Sequence, residues 1–141
     1  MAEVISNMDE HNRRLEQAIK KALRLVGGQA ERIAKETISD MEAVDTGFLR
    51  NSITYALAGE PANAKEYQDD AGNQQGEYDG DAPEDEEEGV YTVYIGTNVF
   101  YAPYVELGTS KMSARPFLTT AVQGQKDAYI ELFKKAFEAF R

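Results

Sequence analysis

Three short stretches of the chain hold side chains that could do chemistry. The first is Asp45-Thr46-Gly47, the composition of an aspartic protease loop, in which two such aspartates share one proton across a dimer. An apolar strand feeds that loop in such enzymes. Here a helical pattern runs almost up to Asp45 and resumes in Phe48-Leu49-Arg50. A structural role fits better: Asp45 or Thr46 caps a short turn, Gly47 supplies backbone freedom and Leu49 plugs the core. The second stretch is Tyr101-Ala102-Pro103-Tyr104-Val105-Glu106-Leu107-Gly108-Thr109. Tyr101 and Tyr104, three apart, would share one face of a helical turn. Glu106 is an acid in apolar surroundings, which suggests a paired carboxylate. Arg115 and Arg50 are the available partners, and a bidentate pair would lock this segment to the final helix or join two subunits. No histidine or second acid lies near it in sequence, so acid–base catalysis is the weakest of its readings. The third stretch is Ser113-Ala114-Arg115-Pro116-Phe117. Ser113 or a neighbour can cap a helix that Pro116 starts and Phe117 anchors.

Composition narrows the chemistry further. The 141 residues include no cysteine and one histidine, His11. Thiolate nucleophiles, thiolate zinc sites, disulfide scaffolds and His-based metal clusters are thereby excluded, and a Ser-His-Asp triad is disfavoured. Lys111 and Arg115 are too few for a phosphate track, and Gly27-Gly28 lies inside a helical stripe, not after a strand as a phosphate cradle requires. No cofactor is expected. No apolar run approaches the roughly 18 residues that span a bilayer, and the first twenty residues lack a secretory apolar core. The expectation is a soluble, cytoplasmically made binding or structural part.

The net charge of −10 is unevenly distributed. Residues 60–89 hold Glu60, Glu66, Asp69, Asp70, Glu77, Asp79, Asp81, Glu84, Asp85, Glu86, Glu87 and Glu88 against Lys65 alone, a balance of −11, which leaves the rest at +1. This stretch has no apolar period, and its only large apolar groups are Tyr67 and Tyr78. It reads as a long mobile loop. Neither Asp69-Asp70-Ala71-Gly72-Asn73 nor Asp79-Gly80-Asp81 has the spacing of an EF-hand calcium loop.

The elements that must position these groups follow from periodicity. Apolar residues recur in steps of three and four from Leu15 through Ile38 to Met41, predicting one long helix over 9–41, with room for a kink at Gly27-Gly28. Such a helix exceeds what a core of this size covers, so part of it should project or meet another subunit. Ile53, Tyr55 and Leu57 alternate with polar or small residues as a half-exposed strand. Val90 to Gly96 reads as a strand apolar on both faces, its antiparallel partner across the acidic loop. Val99 to Leu107 is a short strand or a turn of helix. One long helix runs from Pro116 to Phe140, with Phe117, Phe133, Phe137 and Phe140 on its stripe. The sum is a single α+β domain over 1–141: a long N-terminal helix, a small antiparallel sheet with a long acidic hairpin loop, and a long C-terminal helix packed on the sheet.

The blocks Asp45-Thr46-Gly47-Phe48-Leu49-Arg50-Asn51-Ser52-Ile53, Gly96-Thr97-Asn98 with Tyr101 to Thr109, and Ala114-Arg115-Pro116-Phe117-Leu118, in this order, resemble the tail-completion or head–tail joining (neck) proteins of long-tailed phages and prophages. Val44 stands where members of that family typically have proline, and the acidic insertion is a larger departure. The resemblance implies a subunit of a homo-oligomeric ring, hexameric by expectation, located in the virion neck after assembly in the host cytoplasm. Its implied partners are portal, adaptor or stopper proteins on one side and tail terminator or tail tube on the other. Genomic DNA would pass without specific binding, and no enzymatic activity, cofactor or membrane is implied. The acids Asp69, Asp70, Asp79, Asp81, Glu84, Asp85, Glu86, Glu87 and Glu88 could then face the channel and repel phosphate. The competing class is a DNA-mimic inhibitor whose acids imitate phosphates. Against it stands their clustering in one Gly-rich run instead of ordered display along helices.

Overall fold

A computed structural model describes residues 2–40 and 46–141; Met41 and Asp45, both invoked above, lie outside the described residues. The architecture is α+β. Helix α1 (Ala2–Asp40) is followed by a short helix α2 (Thr46–Ser52) and strand β1 (Thr54–Leu57). Strands β2 (Glu66–Gln68), β3 (Gln75–Glu77) and β4 (Val93–Gly96) come next, then helices α3 (Ala102–Leu107), α4 (Phe117–Gln123) and α5 (Lys126–Phe140).

Helix α1 starts seven residues earlier than its apolar stripe predicts and passes through Gly27-Gly28 as helix. The reason for a glycine there is spatial. A β-carbon on Gly27 would sit 2.7 Å from the Tyr55 ring and 2.8 Å from Val93 Cγ2, whereas one on Gly28 would meet Tyr55 Cε1 at an ordinary 3.9 Å. Gly27 lets the β1–β4 ribbon lie directly on the helix, and that contact offsets a helix-propensity cost of about 1 kcal/mol. The two glycines should therefore respond oppositely to alanine in chemical denaturation. Gly28→Ala should stabilise by up to about 1 kcal/mol. Gly27→Ala should destabilise, because overpacking costs about 1–3 kcal/mol and exceeds the propensity gain.

Strand β1 pairs antiparallel with β4, Thr54 opposite Gly96 and Leu57 opposite Val93, as expected for the two body strands. The ordered strand β4 is shorter than Val90–Gly96, and Tyr94 is exposed, so it is not buried on both faces. The intervening acidic segment contains regular structure that its composition does not suggest. Strands β2 and β3 form an antiparallel hairpin with Tyr67 opposite Gly76, and Pro61 bridges to Asp81. Tyr67 packs on the Phe48 ring at 5.1 Å and on the Tyr78 ring at 5.6 Å, so two aromatic side chains supply the anchoring that an apolar period would otherwise provide.

The C-terminal stripe also divides. Gly124 and Gln125 separate α4 from α5, so the single helix expected from Pro116 to Phe140 is two. Helix α5 runs back along α1: Lys21 Nζ lies 5.6 Å over the Phe140 ring, and Arg32 acts electrostatically on Tyr129 near the other end. Ala18, Ala22, Ala30, Ala34 and Ile38 of α1 and Ala136 of α5 are buried, while Leu25, Ile130 and Phe140 stay exposed. The main core gathers Ala34 and Ile38 of α1 with Leu49, Ile53, Val99, Ala102, Val105, Phe117 and Ala121.

Candidate functional site

The three sequence blocks meet around this core. From the first, Leu49, Ser52 and Ile53 are buried. Ser52 Oγ donates to the Leu49 carbonyl at 2.6 Å and shares a 2.6 Å hydrogen bond with Thr97 Oγ1, which in turn accepts from the Val99 amide at 3.1 Å. This chain of hydroxyls ties α2 to the segment after β4. Thr46 opens α2 and Gly47 lies within it, so these two sit in helix, not in the strand-fed loop of an aspartic protease.

The same two blocks grip the acidic hairpin. Arg50 pairs with Asp70, and Asn51 Nδ2 donates to the Gln68 carbonyl at 2.8 Å and to Asp70 Oδ1 at 3.0 Å. These bonds hold the Asp70 carboxyl below the usual carboxylate range. Asn98 accepts from the Tyr67 hydroxyl and donates to the Glu77 carbonyl at 2.7 Å. The Tyr78 hydroxyl donates to the Ser52 carbonyl, and burial, with the neighbouring Tyr67, pushes its pKa up to about 12, so it remains a donor throughout the ordinary pH range. Elsewhere in the segment, Glu60 pairs with Arg24 at 2.9 Å, Asp69 accepts from the Asn73 amide at 2.7 Å and Asp85 from the Thr92 hydroxyl at 2.7 Å. Such anchors were not anticipated; Tyr67 and Tyr78 standing alone among polar residues were the available signal.

The expected ion pair of Glu106 with Arg115 or Arg50 is not formed: Arg50 is taken by Asp70. The Glu106 carboxylate instead accepts from the Leu118 amide at 3.0 Å, the Thr119 amide at 2.9 Å and the Thr119 hydroxyl at 2.6 Å. It caps α4 from outside the helix, satisfying first-turn N–H groups that have no intrahelical acceptor. No side chain caps α4 from its N-cap position, where Pro116 sits, so the expected Ser113 cap is replaced by Glu106. The Arg115 amide donates to the Val105 carbonyl at 2.7 Å, and Phe117 is wholly buried. The turn between is tight: the Thr109 amide donates to Met112 O at 2.8 Å, and Gly108 has φ 78° and ψ 173°. Tyr101 and Tyr104 do not share an environment. Tyr101 packs at the core margin and edge-on to Phe100, whereas Tyr104 is exposed.

What this joint leaves uncovered is apolar. Phe100 is 84% exposed and Leu107 77%, and both border a shallow groove of about 440 Å³ with Pro103 and Leu118. Among the described residues, no group of three or more histidines, cysteines or acids could hold a metal ion, and no helix is long and apolar enough to cross a membrane.

The blocks thus build a joint between elements, the work of a structural α+β module. Residues 2–108 match the family model described as "Bacteriophage HK97-gp10, putative tail-component", and the chain belongs to this HK97-gp10-like family of phage tail components. The match takes in the first block and the second as far as Gly108, and ends ahead of α4 and α5. No curated protein and no solved structure matches the chain.

Proposed function

We propose that this protein is a non-enzymatic subunit of the phage neck, forming a hexameric ring that completes the tail and joins it to the head. The observation that carries this reading is the joint itself: three blocks are spent on fixing α2, α3 and α4 together, and the result holds Phe100, Tyr104 and Leu107 out in solvent. Exposed apolar groups on a fixed base suit a permanent contact better than a catalytic cleft. In this reading Tyr104 and Leu107 belong to a subunit contact. Portal-side and tail-side proteins would be the neighbours above and below the ring. The exposed acids of 79–88 would face the channel, where they keep passing DNA from adhering. Asp69 is already engaged within the hairpin and Asp70 with Arg50 and Asn51 of α2, so both are spared for its support.

Particles assembled without this protein test the reading. Negative-stain microscopy should show filled heads and finished tails lying separate, and supplying the wild-type chain should join them. Supplying a variant with Asp79, Asp81, Glu84, Glu86, Glu87 and Glu88 replaced by their amides should join them but slow DNA release. Joined, infectious particles in the absence of the chain would defeat the neck assignment. Undisturbed release by the amide variant would defeat the channel role alone.

A further inference from the structure

The acidic hairpin borders the exposed apolar groove. One border of the exposed apolar groove is Asn98, and the same Asn98 holds the acidic hairpin through the Tyr67 hydroxyl and the Glu77 carbonyl. The groove is therefore flanked by a hairpin on which Glu66 and Glu77 stand directly opposite one another, both exposed. Like charges at paired positions are unfavourable within a lone hairpin, and neither has an ion-pair partner among the described residues. Along the last turns of α5, beside α1, Lys134 and Lys135 stand between Glu131 and Glu138, and Arg141 pairs with Glu138. Lys134 and Lys135 are exposed and likewise have no ion pair among the described residues. They lie beside Phe133 and Phe137, half-buried and stacked 6.0 Å apart.

One face is an apolar groove with an acidic border; the other is an apolar ridge beside Lys134 and Lys135. We propose that the groove of Phe100, Pro103 and Leu107 is occupied by the α5 ridge of a second copy, with Glu66 and Glu77 of one copy facing Lys134 and Lys135 of the next. The two faces differ, so the contact is head-to-tail and propagates from copy to copy, as a closed ring requires. Complementary borders set the register and the rate of encounter, while the aromatic and leucine side chains supply the buried area. The inference rests on the ring reading above and adds which faces meet.

Charge reversal tests it with the full chain in solution. Lys134→Glu with Lys135→Glu gives a copy acidic at both faces; Glu66→Lys with Glu77→Lys gives one basic at both. All four positions are exposed, so each variant should retain the wild-type circular dichroism spectrum. Expected in light scattering after size exclusion is an oligomer for the wild type, loss of that oligomer for each variant alone, and its return when the two are mixed in equal amounts. In the mixture every contact again pairs acid with base. A wild-type oligomer whose size both variants keep, or variants that fail to assemble when mixed, would overturn this contact and leave the ring reading standing. A wild-type chain that stays a 15.7 kDa monomer would overturn the contact, while the neck assignment is judged separately by particles lacking the chain.

Discussion

Replacing Gly108 by alanine is expected to lower the midpoint of thermal unfolding by about 10 °C, the equivalent of about 3 kcal/mol in a chain of this length. Two independent costs add. The backbone at φ 78° and ψ 173° lies in a region that residues with a β-carbon avoid, at about 1–3 kcal/mol. The added carbon would also stand 2.6 Å from the Ala114 amide nitrogen and 2.9 Å from the Met112 carbonyl oxygen. Both obstacles are backbone, held by the turn that closes at Thr109 and Met112, so neither can swing aside as a side-chain end would. Differential scanning calorimetry on the two proteins decides it. A drop of only a degree or two would mean that the turn is free to rearrange, and that α3 and α4 are not held in one geometry.

Glu106→Ala should cost about 2 kcal/mol, within the upper range for loss of a helix cap. Two amides and a hydroxyl lose their acceptor at once, and the Leu118 amide is partly buried and poorly placed to find water. Glu106→Gln keeps one acceptor oxygen and the side-chain length, so it should recover roughly half of that loss in urea denaturation. The ordering of wild type, Gln and Ala distinguishes capping from an ion pair. Were Glu106 acting through a guanidinium, Gln would be nearly as damaging as Ala, and Arg115→Met would match them both. The structure places no such pair at Glu106, and Arg115→Met should be close to neutral.

Most of the frame was legible in the residue pattern, because it is written in periodicity. The long stripe of α1, the pairing of β1 with β4 and the amphipathic C-terminal region all depend on which face is apolar. The misread places are those where single side chains act at a distance in sequence. Glu106 was assigned a charged partner because acids in apolar stretches usually need one. An uncapped helix start twelve residues away satisfies it equally well, and no spacing rule connects the two. Gly27 read only as room for a kink, since the Tyr55 ring that explains it lies twenty-eight residues on. The acidic segment read as unstructured because composition counts its charges and overlooks two tyrosines, each of which finds a fixed acceptor in the neighbouring blocks. The break at Gly124-Gln125 was hidden by a stripe that keeps its phase across it.

The nested pairings inside the acidic segment bear on how the chain folds. If nothing were joined between Leu57 and Val93, bringing those ends together would demand one long, improbable closure. Here the short 66–77 hairpin can form first, on the microsecond scale of such units. The Pro61–Asp81 bridge then has little chain left to close, and the two outer strands arrive already near each other. The segment with the greatest self-repulsion thereby serves as a zipper for the sheet, and added salt should quicken refolding more than it raises final stability.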